Sequence, residues 1–246
     1  MFSFFKKKRF AHQDYAHLVA DMHSHLIPGI DDGAKNMEDA IQLIRHLQDL
    51  GYQKIFTTPH IMSEYYPNTP ERIQSGLEEL REALKKEGIS IPIEAAAEYY
   101  VDDSFEEQLN KEVPFLTLPQ KQILIEVSML APPRNLPEVI FQLNTLAYQP
   151  ILAHPERYIY YGNELERFEE FKNMGCLLQL NLLSLTGYYG KAQKKLGLKL
   201  LKANLIDLLG TDLHHERQAK ILKKALQDKT MLNILNKYHF SNANLS

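Results

Sequence analysis

Seven short apolar runs, each followed by a helical pattern, constrain this chain more than any other feature. They cover residues 18–23, 54–58, 91–97, 122–125, 150–153, 176–180 and 206–210, and turn residues bound each of them. Short runs of aliphatic and β-branched residues bounded in this way mark strands. After the first run, Met37, Ala40, Ile41, Ile44 and Leu47 recur at helical spacing, with Asn36 as a cap and Gly51 as a stop. After the second, Pro70 sits behind Thr69 at a first helical position, and Ile73, Leu77, Leu80 and Leu84 share one face. Further helices are predicted over 134–148, 164–174, 192–203, 216–227 and 230–237. The acidic stretch between the third and fourth strands is expected to be irregular, and the last six residues loose. Strand–helix alternation of this kind predicts a parallel α/β fold, and the 246 residues suffice for one large core.

Composition narrows the function by exclusion. A net charge of -3 gives no basic footprint for nucleic acid, so no nucleic-acid partner is expected. No apolar run nears the roughly 20 residues of a membrane span, so no stable membrane insertion is expected. The single cysteine rules out an internal disulfide and suits a reducing compartment, which points to the cytoplasm. Residues 1–16, with Phe2, Phe4, Phe5 and a Lys-Lys-Lys-Arg run, read as a flexible basic and aromatic segment. It would be a solubilising tail or a peripheral contact with the inner membrane. Residues 17–240 read as one domain. Oligomeric state is left open.

The strand ends carry the chemistry. Six of the seven deliver His, Asp or Glu at the C-terminal end, the edge where active sites of parallel α/β folds gather. His23 and His25, two apart in an extended segment, point to one side. The Pro28-Gly29 and Asp31-Asp32-Gly33 turns fold a carboxylate back towards them. His60, Glu98, Glu126, His154, Asp212 and His214 end later strands, and with Asp32 they make nine candidate ligands. Nine are too many for one ion. Mixed imidazole and carboxylate donors suit manganese, iron or zinc, and bridging carboxylates allow two or three cations roughly 3.5–4 Å apart. A phosphoester hydrolase follows.

In order, His23-Ser24-His25, Pro28-Gly29, Asp31-Asp32-Gly33, Thr58-Pro59-His60, Glu98, Glu126, His154-Pro155-Glu156-Arg157 and Gly210-Thr211-Asp212-Leu213-His214 resemble the polymerase and histidinol phosphatase (PHP) superfamily. Within it they look most like the manganese-dependent bacterial protein-tyrosine phosphatases of the CpsB/CapC group. The resemblance implies a distorted (β/α)7 barrel of PHP type, with a metal cluster at the C-terminal ends of the strands. It also implies a substrate, the phosphorylated tyrosine-rich tail of a membrane autokinase that controls polysaccharide export. By the same resemblance the nine residues are the ligands and Arg157 binds phosphate. The sequence departs from the group beyond His214, where a further arginine is expected and Arg217 is the nearest candidate. The expected mechanism is attack by a metal-bound hydroxide on phosphorus, with a metal or His214 assisting the phenolate.

Other residues divide between site and scaffold. Tyr158 and Tyr161, with Tyr65, Tyr66 and Tyr160, are candidates for an aromatic rim around phosphotyrosine, or else loop anchors. Asn181 ends a strand in the same layer and would bind a water or substrate, or cap the loop backbone. Asp31 is expected to hold its turn, and Asp21 to fix an imidazole tautomer. Cys176 lacks the arginine of a C-x5-R phosphatase loop, since position 182 is leucine, and reads as a small core residue. His12, His17, His46, His215 and His239 are expected to have no catalytic role. The rival readings are a histidinol phosphatase or other small-molecule PHP phosphoesterase, and a non-catalytic metal-containing regulator that binds the kinase tail.

Overall fold

The computed structural model describes residues 14–162 and 164–245; of the expected N-terminal segment, 1–13 lie outside them, His12 included. The described residues hold nine strands and nine α-helices. β1 (Ala20–Asp21), β2 (Lys54–Thr57) and β4 (Ile93–Ala95) form one sheet in the order β1-β2-β4. β3 (His60–Ile61), β5 (Glu98–Tyr100), β6 (Gln122–Glu126), β7 (Gln149–Ala153), β8 (Leu177–Asn181) and β9 (Leu208–Gly210) form a second in the order β3-β5-β6-β7-β8-β9. Every pairing is parallel.

Seven expected strands become nine because the second and third each change sheet part way. At Thr58-Pro59 the chain leaves β2 for β3, and proline has no N–H to continue a ladder. At Ala96-Ala97 it leaves β4 for β5. The two sheets also meet at their other edges: Ser24 bridges Leu213 in parallel, and Asp212 N–H donates to His23 O at 2.8 Å.

The helices begin where the sequence places caps. α1 (Met37–Asp49) starts with the Asn36 side chain accepting from Asp39 N–H, and α2 (Pro70–Lys86) with Thr69 accepting from Arg72 N–H. Two helices differ from expectation. α3 (Asp103–Asn110) forms in the supposedly irregular stretch, because Asp102 caps Phe105 N–H and buries Phe105 and Leu109. α6 (Leu182–Thr186) is a single turn capped by the Asn181 side chain. α4 (Leu136–Thr145), α5 (Leu165–Asn173), α7 (Lys191–Lys202), α8 (Glu216–Ala225) and α9 (Lys229–Lys237) lie within or close to the predicted ranges.

Strand alternation splits the core in two. Ile123, Ile125, Leu152 and Leu209 turn outward into the large cluster shared with the helices. Leu124, Ile151, Ala153 and Leu208 turn inward, where Leu118 and Leu245 join them. The last residues are therefore not loose. Ser241–Leu245 is a short 3-10 helix, and the buried Asn242 accepts from Leu209 N–H and donates to Leu209 O and Ala20 O at 2.9, 2.7 and 3.2 Å. At the other end, Tyr15 is fully buried and stacks on Tyr52 with ring centroids 5.8 Å apart. No described helix is long and apolar enough to cross a membrane.

Candidate metal centre

Period-two alternation carries each strand from apolar interior to site. Two residues beyond Ala96, Leu124 and Leu177, on the same faces, stand Glu98, Glu126 and Gln179. Pairing of β3 with β5 then sets His60 directly beside Glu98.

His23 and His25 follow β1, and both rings are fully buried. His23 Nδ1–H donates to Gln179 Oε1 and His25 Nδ1–H to Asp31 Oδ2, each at 2.8 Å. With Nδ1 protonated, each ring turns an unprotonated Nε2 inward, and these two atoms lie 3.3 Å apart. Glu98 Oε2 stands 3.1 and 3.4 Å from them, and Asp212 Oδ1 3.4 and 3.5 Å. Acceptors thus face acceptors in a dry interior, an arrangement that costs free energy unless a cation sits among them. Glu98 Oε2 and His60 Nδ1, both buried, have no hydrogen-bond partner. This donor set fits divalent metal.

Three groups of ligand atoms meet the distance needed: His23, His25, Glu98 and Asp212; His25, Asp32, His60 and His214; and His60, Glu98 and Glu126. Together they hold eight of the nine expected ligands. His154 belongs to none of the three. Its Nε2 lies 2.9 Å from Glu98 Oε1 and 3.8 Å from Glu126 Oε2. His154 and Asp212 have φ of 36° and 51°, a left-handed conformation that costs non-glycine residues of order 1–3 kcal/mol and gathers at functional sites.

Electrostatics follow from this crowding. Burial would push the Glu98 carboxyl up, but His23, His60 and His154 hold it well below its ordinary range. Asp212 behaves alike against burial, through His23, His214, His25 and Arg157. Burial would lower His25, yet Asp31, Asp212 and Glu98 lift it well above the usual imidazole value. His60 is raised to about 9 against burial, first by Glu98. Without a cation only protonated imidazoles could balance these carboxylates; a divalent cation would balance them and leave each Nε2 unprotonated as a donor atom.

Supporting groups fix the candidate ligands. Asp31 accepts from Gly33 N–H at 2.9 Å as well as from His25, so it holds both turn and ring. Gly33 is required there, since a Cβ would stand 2.2 Å from His25 O. Asp21 does not fix an imidazole. Its carboxylate accepts from Thr211 N–H and hydroxyl at 3.0 and 2.8 Å, and Gln179 takes the expected role at His23. Sequence reading missed Gln179, although its place on the inward face of β8 was a signal. Asn181 Oδ1 caps Leu183 N–H while Nδ2 donates to Asp212 Oδ2 at 2.7 Å.

A cavity of about 460 Å³ opens over these groups. Arg157 lines it from the 3-10 turn that follows β7, with Nη1 3.2 Å from Asp212 Oδ2. Its neighbour Glu156 turns away into the protein, where it accepts from Ser184 and Asn181, and burial pushes it up to about 7. Several expected contacts fail. Tyr158 is buried, its oxygen accepting from Val127 N–H, and Tyr161 packs on Phe168 and Phe171, so neither forms a rim. Arg217 is exposed on α8 and does not line the cavity; neither does Arg134. His214 donates from Nδ1 to Asp212 O at 2.9 Å, so as a ligand through Nε2 it has no proton for a leaving group. Instead, Tyr100, Met129, Leu130, Tyr188 and Tyr189 form the apolar wall. Cys176 is buried outside the cavity, and burial pushes its thiol up to about 12.

Known proteins match at this point. The family described as "Capsular polysaccharide synthesis, CpsB/CapC" matches residues 19–243. The chain is 30% identical to the tyrosine-protein phosphatase YwqE of Bacillus subtilis, over 80% of this chain and 78% of that one. It is 29% identical to the putative tyrosine-protein phosphatase CapC of Staphylococcus aureus, over 87% and 84%. Among solved structures, it is similar to one reported with YwqE and with CpsB of Streptococcus pneumoniae as "unique metal-dependent tyrosine phosphatases", with a TM-score of 0.73, 28% identity and coverage of 88% and 91%.

Proposed function

The chain belongs to the CpsB/CapC family, and from that premise we infer that it is a metal-dependent tyrosine-protein phosphatase. The observation that carries this reading is the buried convergence of imidazole Nε2 and carboxylate oxygen atoms at the floor of a cavity that Arg157 also lines. We propose that His23, His25, Asp32, His60, Glu98, Glu126, His154, Asp212 and His214 hold two or three ions, with Mn2+ the preferred metal. Bound cations supply Lewis acidity at phosphoryl oxygens and a water acidic enough to react near neutral pH.

The chain's own residues do the rest. Arg157 offers a planar fork of donors to the equatorial phosphoryl oxygens. Asp212 divides its labour, with Oδ1 towards the imidazoles and Oδ2 towards Arg157, which keeps phosphate recognition in register with the ligand cluster. The wall of Tyr100, Met129, Leu130 and Tyr188 suits a phenyl ring better than the charged aminoalkyl chain of histidinol phosphate. A phenolate, with a pKa near 10, leaves without a dedicated acid. The proposed substrate is the phosphotyrosine tail of a membrane autokinase, met from the cytoplasm.

The test is removal of metal with chelator, restoration with Mn2+, Zn2+ or Mg2+, and comparison of a phosphotyrosine peptide, a phosphoserine peptide and histidinol phosphate. Manganese-restored turnover confined to phosphotyrosine is expected. Equal or faster turnover of histidinol phosphate overturns the substrate assignment, and full activity after chelation overturns the metal site.

A further inference from the structure

We propose that Tyr189 is the positioning residue of Arg157: its ring supports the guanidinium, and its hydroxyl ties that support to the ligand carboxylate Asp212. This rests on the reading that Arg157 binds phosphate. The Arg157 guanidinium carbon stands 4.5 Å from the Tyr189 ring centroid. Arg157 Nη1 lies 3.2 Å and the Tyr189 hydroxyl 3.3 Å from the same oxygen, Asp212 Oδ2. Asn181 Nδ2 donates to that oxygen at 2.7 Å and reaches the Tyr189 hydroxyl at 3.4 Å. Three donors converge on one carboxylate oxygen while its twin faces the imidazoles.

An arginine carries many rotamers, so a single salt bridge to Asp212 fixes one nitrogen and leaves the plane free to turn. The Tyr189 ring removes that freedom and adds cation–π attraction. Orientation matters more in this chain because Arg217 does not line the cavity, which leaves Arg157 as the lining arginine among the described residues. The loop that carries Tyr189 is built for a fixed position. Gly187, at φ 89°, ends α6 in the left-handed conformation, and Tyr188 packs edge-on against Tyr189 with centroids 4.9 Å apart.

The experiment uses the full-length, manganese-loaded protein and its Tyr189→Leu, Tyr189→Phe and Arg157→Ala variants. Inorganic phosphate is titrated by calorimetry and tested as a competitive inhibitor of phosphotyrosine-peptide turnover, with Mn2+ affinity and thermal midpoint measured alongside. Tyr189→Leu is expected to weaken phosphate binding about threefold to thirtyfold and to raise KM more than it lowers kcat. Tyr189→Phe, which keeps the ring, is expected to recover most of that loss. Wild-type phosphate affinity in Tyr189→Leu, with affinity lost in Arg157→Ala, overturns the proposal alone. Undiminished phosphate binding in Arg157→Ala overturns the phosphate role of Arg157 and the proposal with it. A Tyr189→Leu defect fully explained by weaker Mn2+ binding also overturns it.

Discussion

Asp31→Asn tests whether the buried imidazoles are ligands held by their second nitrogens. Asp31 Oδ2 accepts from His25 Nδ1 at 2.8 Å and from His60 N–H at 3.2 Å, while Oδ1 accepts from Gly33 N–H at 2.9 Å. An asparagine has nearly the same shape but one acceptor oxygen, so one side must set an N–H against an N–H. If the oxygen stays with His25, the bond loses its charge and about half its strength. If it turns to Gly33, His25 is free to rotate or change tautomer. Losing such a partner typically costs 10–100-fold in metal affinity, which is about 1.4–2.7 kcal/mol. Competition with a fluorescent chelator would measure Mn2+ affinity directly, with turnover followed as metal is raised. The expected outcome is a Kd weakened by about this factor, with much of the activity restored at saturating metal. A folded Asp31→Asn protein with wild-type Mn2+ affinity would refute the tautomer argument, and with it the claim that His25 presents Nε2 to a cation.

Asn242→Ala removes three buried hydrogen bonds that hold the C-terminal turn against β1 and β9, and is expected to cost about 2–4 kcal/mol in urea unfolding with activity per folded molecule retained. Tyr158→Phe loses the acceptor for Val127 N–H and should lower stability by about 1–3 kcal/mol, leaving KM for phosphotyrosine peptide unchanged; a raised KM would restore the rim. Cys176, buried with its thiol pushed up to about 12, should resist a thiol reagent at pH 8 in the native protein and react on unfolding, and Cys176→Ser should keep its turnover.

Much of this was legible in the sequence because chemistry and periodicity coincide. A strand that ends on Glu126 shows its candidate ligand in the linear order, and Asn36 and Thr69 announce their helices as caps. What sequence concealed lies where the chain departs from regular periodicity or where distant segments meet. The apolar run 54–58 reads as a strand that ends at Pro59, and nothing local shows that His60 and Ile61 pair again in a second sheet. Asp102 was a cap signal hidden by acidic neighbours. The sequence places Tyr158 and Tyr161 between regular elements, but that position does not say which way a ring turns. Tyr188 and Tyr189, between two glycines, were open to notice and carried no periodic signal to favour them. Strand position marks Asn181 and Gln179 as facing the site, but their partners Asp212 and His23, like the contact of Tyr189 with Asp212, are pairings that no local pattern encodes.

The seam between the first strand and the segment after β9 has a consequence for biosynthesis. Tyr15 reaches Leu222 and Asp21 reaches Thr211, contacts 207 and 190 residues apart in sequence, and the closing floor includes Leu245. A ribosome must therefore have passed residue 212 before the first histidines can meet Asp212. Closure over such distances is slow, and until it occurs the early strands keep unpaired edges. A cation held by the proposed ligand set, which exists only in the closed form, would pull that late step forward. Starving growing cells of metal should then lower the yield of folded protein as well as its activity, and the losses should fall on newly made chains rather than on those already assembled.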